Sequence, residues 1–247
     1  MTMRARLDAE MARRGLAESR ERAVRLIMAG RVRVNSQPAS KPDLRIDETA
    51  EILVISAGSE YASRGGYKLA RAMDHFAIDA AGRRALDIGA STGGFTDVLL
   101  RRGAAHVIAL DVGYGQLADR LRRDPRVTVI DRANIRHVDA AALPYRPDLV
   151  TIDVSFISLK LVLPAARALA APVATLIALV KPQFEVGRGM VGKGGVVRDE
   201  ALRAAALAEI LEFARTHGFS VVGAIESPIA GAAGNREYLA CLEVADL

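Results

Sequence analysis

Ala85-Leu-Asp-Ile-Gly-Ala-Ser-Thr-Gly-Gly-Phe-Thr-Asp-Val-Leu-Leu100 is the stretch on which the fold assignment turns. It opens as a short apolar run ending in Asp87 and Gly89 and crosses a Gly/Ser/Thr loop. It then resumes with Phe95, Val98 and Leu99 at helical spacing. Strand, glycine turn and helix in this order form the opening unit of a doubly wound α/β sheet. Gly89, Gly93 and Gly94 let the backbone approach a ligand, and the following helix offers free N–H groups to the loop. The stretch lacks the G-x-G-x-x-G of nicotinamide sites. No Gly-Lys-Ser/Thr follows it, so it is not a P-loop either.

Four further strands read outward from it, near 105–110, 127–130, 149–152 and 175–180, each ending on a charged residue: Asp111, Asp131, Asp153 and Lys181. Helical patterns lie between them at 94–102, 115–122 and 158–170. A long helix near 200–217 and strands at 219–226 and 238–244 complete a seven-stranded α/β sheet with the last strand antiparallel. Parallel strands converge their C-terminal ends on one crevice, so five charged strand ends, Asp87 included, predict a ligand site there. The D-x-G-x-x-x-G-G form resembles the first motif of S-adenosylmethionine (SAM) methyltransferases. The resemblance implies cofactor contacts from Asp87, Gly89, Ser91, Thr92, Gly93, Gly94 and Phe95. Asp111, 22 residues after Gly89, falls where such domains bind ribose hydroxyls, and Asp131 and Asn134 follow the third strand.

The chain has 247 residues, 51% of them apolar, and a net charge of +5. That is enough for one large domain or a large plus a small one. The longest apolar run, 168–180, is broken by Pro172 and stops at Lys181, short of a membrane span. A charged N-terminus without a signal-peptide core and a single cysteine, Cys241, predict a cytoplasmic protein with no membrane partner. Residues 1–36 hold nine arginines against four acids, which accounts for the whole net charge. Such asymmetry is the electrostatic footprint of a nucleic-acid-binding module.

In that segment a helix is expected over 4–14, ended by Gly15. A second runs from the cap Ser19 to Ala29, and strands follow at 32–34 and 51–55, with a turn at 36–38. The core Ala23-Val-Arg-Leu-Ile-Met-Ala-Gly-Arg-Val-Arg-Val-Asn35 resembles the alpha-L RNA-binding fold of a small-subunit ribosomal protein. The reading divides the chain into an α+β RNA-binding domain (1–57), a linker (58–64) and the α/β domain (65–247). A basic hairpin docked on the larger domain is the alternative for the first of these. Arg4, Arg6, Arg20, Arg22, Arg25, Arg31 and Arg33 are the expected RNA contacts there. Arg64 precedes the first helix of the large domain. Arg188 and Lys193 lie in a glycine-rich loop, 185–198, that reads as a substrate cover.

Only five lysines occur: Lys41, Lys68, Lys160, Lys181 and Lys193. Lys, unlike Arg, can give up its proton when its surroundings demand it. Ser63-Arg-Gly-Gly-Tyr-Lys-Leu69, Asp153-Val-Ser-Phe156, Lys181-Pro-Gln-Phe-Glu185, Gly192-Lys-Gly-Gly-Val-Val-Arg-Asp199 and Asn235-Arg-Glu237, with the glycine motif, are together similar to the haemolysin A (TlyA) family. The match runs over nearly the whole chain. That resemblance implies an FtsJ-like fold and SAM-dependent 2′-O-methylation of cytidine ribose in ribosomal RNA, without a metal. It also implies a Lys-Asp-Lys-Glu tetrad on Lys68, Asp153, Lys181 and Glu237. Two nearby lysines favour a neutral amine, so Lys181 is the candidate base or alkoxide stabiliser, with Lys68 beside it. Which lysine is neutral stays open. Methylation of a base amine is disfavoured because Asp153-Val-Ser-Phe156 lacks the two prolines of the amine-methylating motif. A non-catalytic ribosome-assembly factor and a pore-forming haemolysin are the readings from other classes.

Overall fold

Tertiary structure distributes these patterns between two units. The structure is a computed structural model describing residues 4–17, 19–28, 30–35, 37–47, 50–54, 61–192, 194–231 and 234–244. It divides into the compact units Met1–Glu60 and Tyr61–Leu247. The larger unit thus starts inside the stretch read as linker, because the Ala62 N–H donates to the buried Asp97 carboxylate at 2.8 Å. Residues 55–60 lie outside the described residues.

The small unit comprises β1 (Arg4–Arg6), α1 (Leu7–Arg13), α2 (Arg20–Met28), β2 (Val32–Val34), β3 (Gln37–Pro38), β4 (Arg45–Asp47) and β5 (Ile52–Val54). Leu7, Met11, Ala23, Ile27 and Val32 form its core. Ser19 caps α2 as expected, its Oγ accepting from the Arg22 N–H at 3.2 Å. The helix expected over 4–14 is shortened. Arg4–Arg6 is instead a strand paired antiparallel with Arg45–Asp47, since a distant partner strand satisfies its backbone. That partner, Arg-Ile-Asp, carries a single apolar residue and left no alternation to read. Gln37–Pro38, expected as part of a turn, pairs as an edge strand on β2, where a proline is tolerated.

The large unit runs α3 (Gly65–His75), β6 (Arg84–Ile88), α4 (Gly94–Arg101), β7 (His106–Leu110), α5 (Asp119–Arg122), β8 (Val127–Ile130), β9 (Leu149–Ile152), α6 (Leu159–Leu169), β10 (Ala174–Val180), α7 (Pro182–Glu185), α8 (Glu200–Thr216), β11 (Ser220–Glu226) and β12 (Tyr238–Val244). Across the sheet the order is β11-β12-β10-β9-β6-β7-β8, and β12 is antiparallel to both its neighbours. Alternate residues feed opposite faces: Leu86, Ile88, Val150 and Ile152 pack with α6 and α8, and Ala85, Val107 and Leu149 with α3 and α4. Burial on both faces explains why the strands read as unbroken apolar runs. The helix expected over 115–122 is reduced to Asp119–Arg122, because Gly115 is left-handed (φ 66°) and Ala118 extended. No helix among the described residues is long and apolar enough to cross a membrane.

Asp87, the fourth of the five residues of β6, is fully buried. Its Oδ1 accepts from Thr151 Oγ1 on β9 at 2.9 Å and its Oδ2 from Thr96 Oγ1 on α4 at 2.7 Å. Asp87 therefore ties strand to strand and strand to helix, and it lines neither of the cavities at the strand ends. Burial outweighs the two hydroxyl bonds and pushes its carboxyl up to about 6. The native state then holds a proton that the unfolded chain releases between about pH 4 and 6, so this group adds stability as pH falls through that window. Wild type should gain on the order of 2 kcal/mol relative to Asp87→Asn between about pH 7 and pH 4.5, measured by denaturant titration at each pH. A pH-independent difference would contradict this account.

Candidate functional site

The loop after β6 is shaped by close approaches. Gly89 has φ 83°, and a Cβ there would overlap the Asp153 carbonyl oxygen at the end of β9. The Gly89 and Ala90 N–H groups both donate to the Leu110 carbonyl, at 2.8 and 3.1 Å. Ser91 takes φ 47°, unusual for a residue with a side chain, and its N–H donates to Asp111 Oδ2 at 2.8 Å. The second Asp111 oxygen accepts from the Gly113 N–H at 2.7 Å. Asp111 thus braces two loops while its side chain faces a cavity.

Two adjoining cavities open at the C-terminal ends of the strands. One, of about 250 Å3, is lined by Ser63, Lys68, Thr92, Phe95, Ser155 and Lys181 among others, with Gly94 at its wall. The second, of about 420 Å3, is more apolar, with Leu110, Val112, Ile135 and Ile157 beside Asp111 and Asn134. Gly89, Ser91, Asp153 and Ser155 belong to both. Together they reach the size range of small-molecule sites. Of the sequence-predicted cofactor residues, Gly89, Ser91, Thr92, Gly94, Phe95, Asp111 and Asn134 lie on these walls. Asp87, Gly93 and Asp131 do not. Gly93 is needed because a Cβ would collide with the Leu117 and Leu121 side chains. Asp131 accepts from the Gly115 N–H (3.1 Å) and from Arg122 (2.9 Å), so it braces the loop behind the cavity.

The tetrad expected from the family resemblance comes together at the first cavity as two ion pairs. Lys68, in the first turn of α3, donates to Glu237 Oε2 at 2.5 Å, across 169 residues of chain. Lys181, at the end of β10, lies 2.6 Å from Asp153 Oδ1 and donates to Ser155 Oγ at 2.9 Å. Both lysines are only 8% exposed. Glu237 reaches the site because β12 is antiparallel, which sets its first residue, Tyr238, opposite Val180 at the end of β10. Gly231 makes room for the Glu237 carboxylate, which a Cβ would strike. Ser63, Ser155, Gln183 and Gly231 went unassigned from sequence, although Ser155 lies inside the quoted Asp153-Val-Ser-Phe156. Asn235, quoted but given no role, ties two loops: its side chain donates to the Gly195 carbonyl (2.8 Å) and accepts from the Val197 N–H (2.9 Å).

Phe156 stands at the mouth with φ 65° and 90% exposure, its ring 5.1 Å from that of Phe184. A bulky residue in that conformation and that exposed marks a site held under strain. Glu185 accepts from Ser158 Oγ (2.6 Å) and the Leu159 N–H (2.9 Å) at the start of α6, and burial pushes its carboxyl up.

The basic set is divided. Arg6 and Arg20 both reach the buried Asp8, at 3.0 Å, and these bonds hold its carboxyl down to about 2. Arg31 and Arg64 are exposed, and Arg22 and Arg33 half-buried. The side chains of Arg4, Arg25 and Arg188, and all of Lys193, lie outside the described residues.

Residues 61–244 match the FtsJ-like methyltransferase family and residues 5–52 the S4 domain. The 16S/23S rRNA (cytidine-2′-O)-methyltransferase TlyA of Mycobacterium tuberculosis is 53% identical over 96% of this chain and 89% of its own. Hemolysin A of Brachyspira hyodysenteriae is 41% identical over 95% of this chain and 98% of its own. A solved Streptococcus thermophilus structure, described as a candidate hemolysin, superposes with a TM-score of 0.77 at 42% identity, covering 100% of this chain and 90% of that one.

Breaking one member of a buried ion pair strands the other charge. Lys68→Met should cost about 3–5 kcal/mol in urea denaturation, and Lys68→Met/Glu237→Met less than the sum of the two single changes. Additive costs would show that the two side chains do not interact.

Proposed function

The chain belongs to the FtsJ-like methyltransferase family, and on that premise we propose that it transfers a methyl group from SAM to a ribose 2′-hydroxyl of cytidine in ribosomal RNA. The observation that carries the proposal is the pair of lysines, each held by its own carboxylate, at the cavity that adjoins the glycine loop. The S4 unit supplies the RNA-binding surface, and the exposed Arg31 and Arg64 are available to phosphates. The site of action is then the cytoplasm, where ribosomal RNA resides.

The cavities fit the cofactor. Gly89, Ser91, Asp153 and Ser155 line both chambers, so one extended ligand can run from the first into the second. The apolar chamber with Asp111 and Asn134 suits a nucleoside, with Asp111 toward the ribose hydroxyls, and the polar chamber with Ser63 and Thr92 suits a charged amino-acid end. When bound, SAM supplies an electrophilic methyl group whose leaving group is a neutral thioether.

The rest of the chemistry falls to the chain. A ribose hydroxyl is a poor nucleophile until its oxygen gains negative charge. Lys181, oriented by Asp153 and Ser155, stabilises as an ammonium the negative charge that develops on the oxygen, or accepts the hydroxyl proton once it has released its own proton to solvent. Lys68, held by Glu237, positions the same oxygen from α3. These groups are preorganised in a nearly buried site, where charge stabilisation is stronger than in water. Phe156 offers an exposed ring on which the base of the acceptor nucleotide can stack.

Incubation with unmodified ribosomal subunits and methyl-labelled SAM, followed by nucleoside digestion, should place the label on 2′-O-methylcytidine. Label on a base would overturn the proposal. Lys181→Arg should lower the single-turnover rate by about 100-fold or more. A wild-type rate in that variant would remove proton acceptance from Lys181 and leave only charge stabilisation.

A further inference from the structure

A third cavity, outside both chambers, is lined by Val196, Val197, Arg198, Glu200, Arg203, Gly234 and Arg236. Three guanidinium groups face one carboxylate, so its walls are net positive. Its frame is rigid. Asn235 ties the 195–197 segment to the loop before β12 through both of its side-chain ends. Asp199 caps the 17-residue helix α8 that carries Arg203.

Arg203 is the informative side chain. It is only 9% exposed, yet it is a cation. Its Nη1 donates to the carbonyl groups of Val197 (3.2 Å) and Arg198 (2.5 Å). Its Nε–H is buried and has no partner among the described residues. Buried donors of this kind are normally satisfied, and an arginine donor is best satisfied by an oxyanion. Arg236 contributes a second, exposed charge. Its side chain is 61% exposed and, among the described residues, pairs with Glu226 at 3.1 Å, a surface pair of little strength.

The location indicates which oxyanion. Arg236 is the neighbour of Glu237, whose carboxylate holds Lys68 in the reaction chamber. One short segment before β12, 234–237, thus lines this cavity and also supplies the carboxylate that holds Lys68. We propose that Arg198, Arg203 and Arg236 form a phosphate-binding subsite that grips a backbone phosphodiester of the RNA flanking the acceptor nucleotide. This rests on the RNA reading given above. The subsite positions the strand and carries no base specificity.

Two measurements on the full chain test it. In the first, inorganic phosphate is titrated while the Arg203 Nε–H correlation is followed by NMR, with Arg203→Lys assigning the peak. A saturable shift in wild type, abolished in Arg198→Ala/Arg236→Ala, is expected; an unmoved peak overturns the site. In the second, methyl transfer to unmodified ribosomal subunits is measured for Arg198→Ala/Arg236→Ala at several salt concentrations. The RNA KM should rise about tenfold and its log–log salt slope fall by about 1 per lost phosphate contact, with SAM affinity unchanged. A phosphate shift without any change in KM or slope would overturn the assignment to substrate RNA. If wild type modifies no ribosomal RNA, the proposed function fails, and the phosphate titration still decides whether the anion site exists.

Discussion

The Gly89–Asp153 contact and the Asp87–threonine bonds are a single constraint that everything at the cavity inherits. Asp87 joins β6 to β9 and to α4 from within the core. Two residues later the chain passes so close to the Asp153 carbonyl that only glycine fits. That proximity forces the left turn at Gly89 and makes Asp153 a wall of both chambers at once. Asp153 in turn holds Lys181. The geometry of the cavity that holds the two lysines is therefore set by the packing of β6 against β9.

The four aspartates at strand ends show how one residue type divides its work by position. Asp87 precedes the end of its strand by one residue, points into the interior and organises packing. Asp111 and Asp131 accept backbone N–H groups and brace loops, but only Asp111 also faces a cavity. Asp153, one residue beyond its strand, meets a lysine. Position along the strand sets Asp87 apart, since the other three each follow their strand by one residue; among those three the neighbouring segments decide the role.

Charge in the small unit follows the same economy. Asp8 and Glu10 are buried acids that gather Arg6, Arg20, Arg13 and Arg14 around them. Much of the arginine excess is thus committed within the unit, fixing one face of its two helices. The local charge balance overstates how many cations stand free to meet phosphate.

The sequence by itself determined the sheet, most of its strand limits and the glycine loop that opens it. These depend on short-range pattern: apolar runs, glycine turns, and residues at the ends of runs. The four tetrad positions came from resemblance to a family and not from such pattern. Tertiary structure alone decided what those residues touch. The strand at Arg4–Arg6 exists because a three-residue partner lies forty residues on. Glu237 meets Lys68 because an antiparallel last strand brings residue 237 back to the mouth of the sheet. Asp131 and Gly93 turned from ligand contacts into supports because the loops they serve fold behind the cavity. Arg203 carries no mark in the sequence, and its burial and unmatched Nε–H emerge only in the folded chain. Hydrogen bonds and ion pairs between distant segments leave no periodic trace in a chain, so they can be read only once the backbone has closed them.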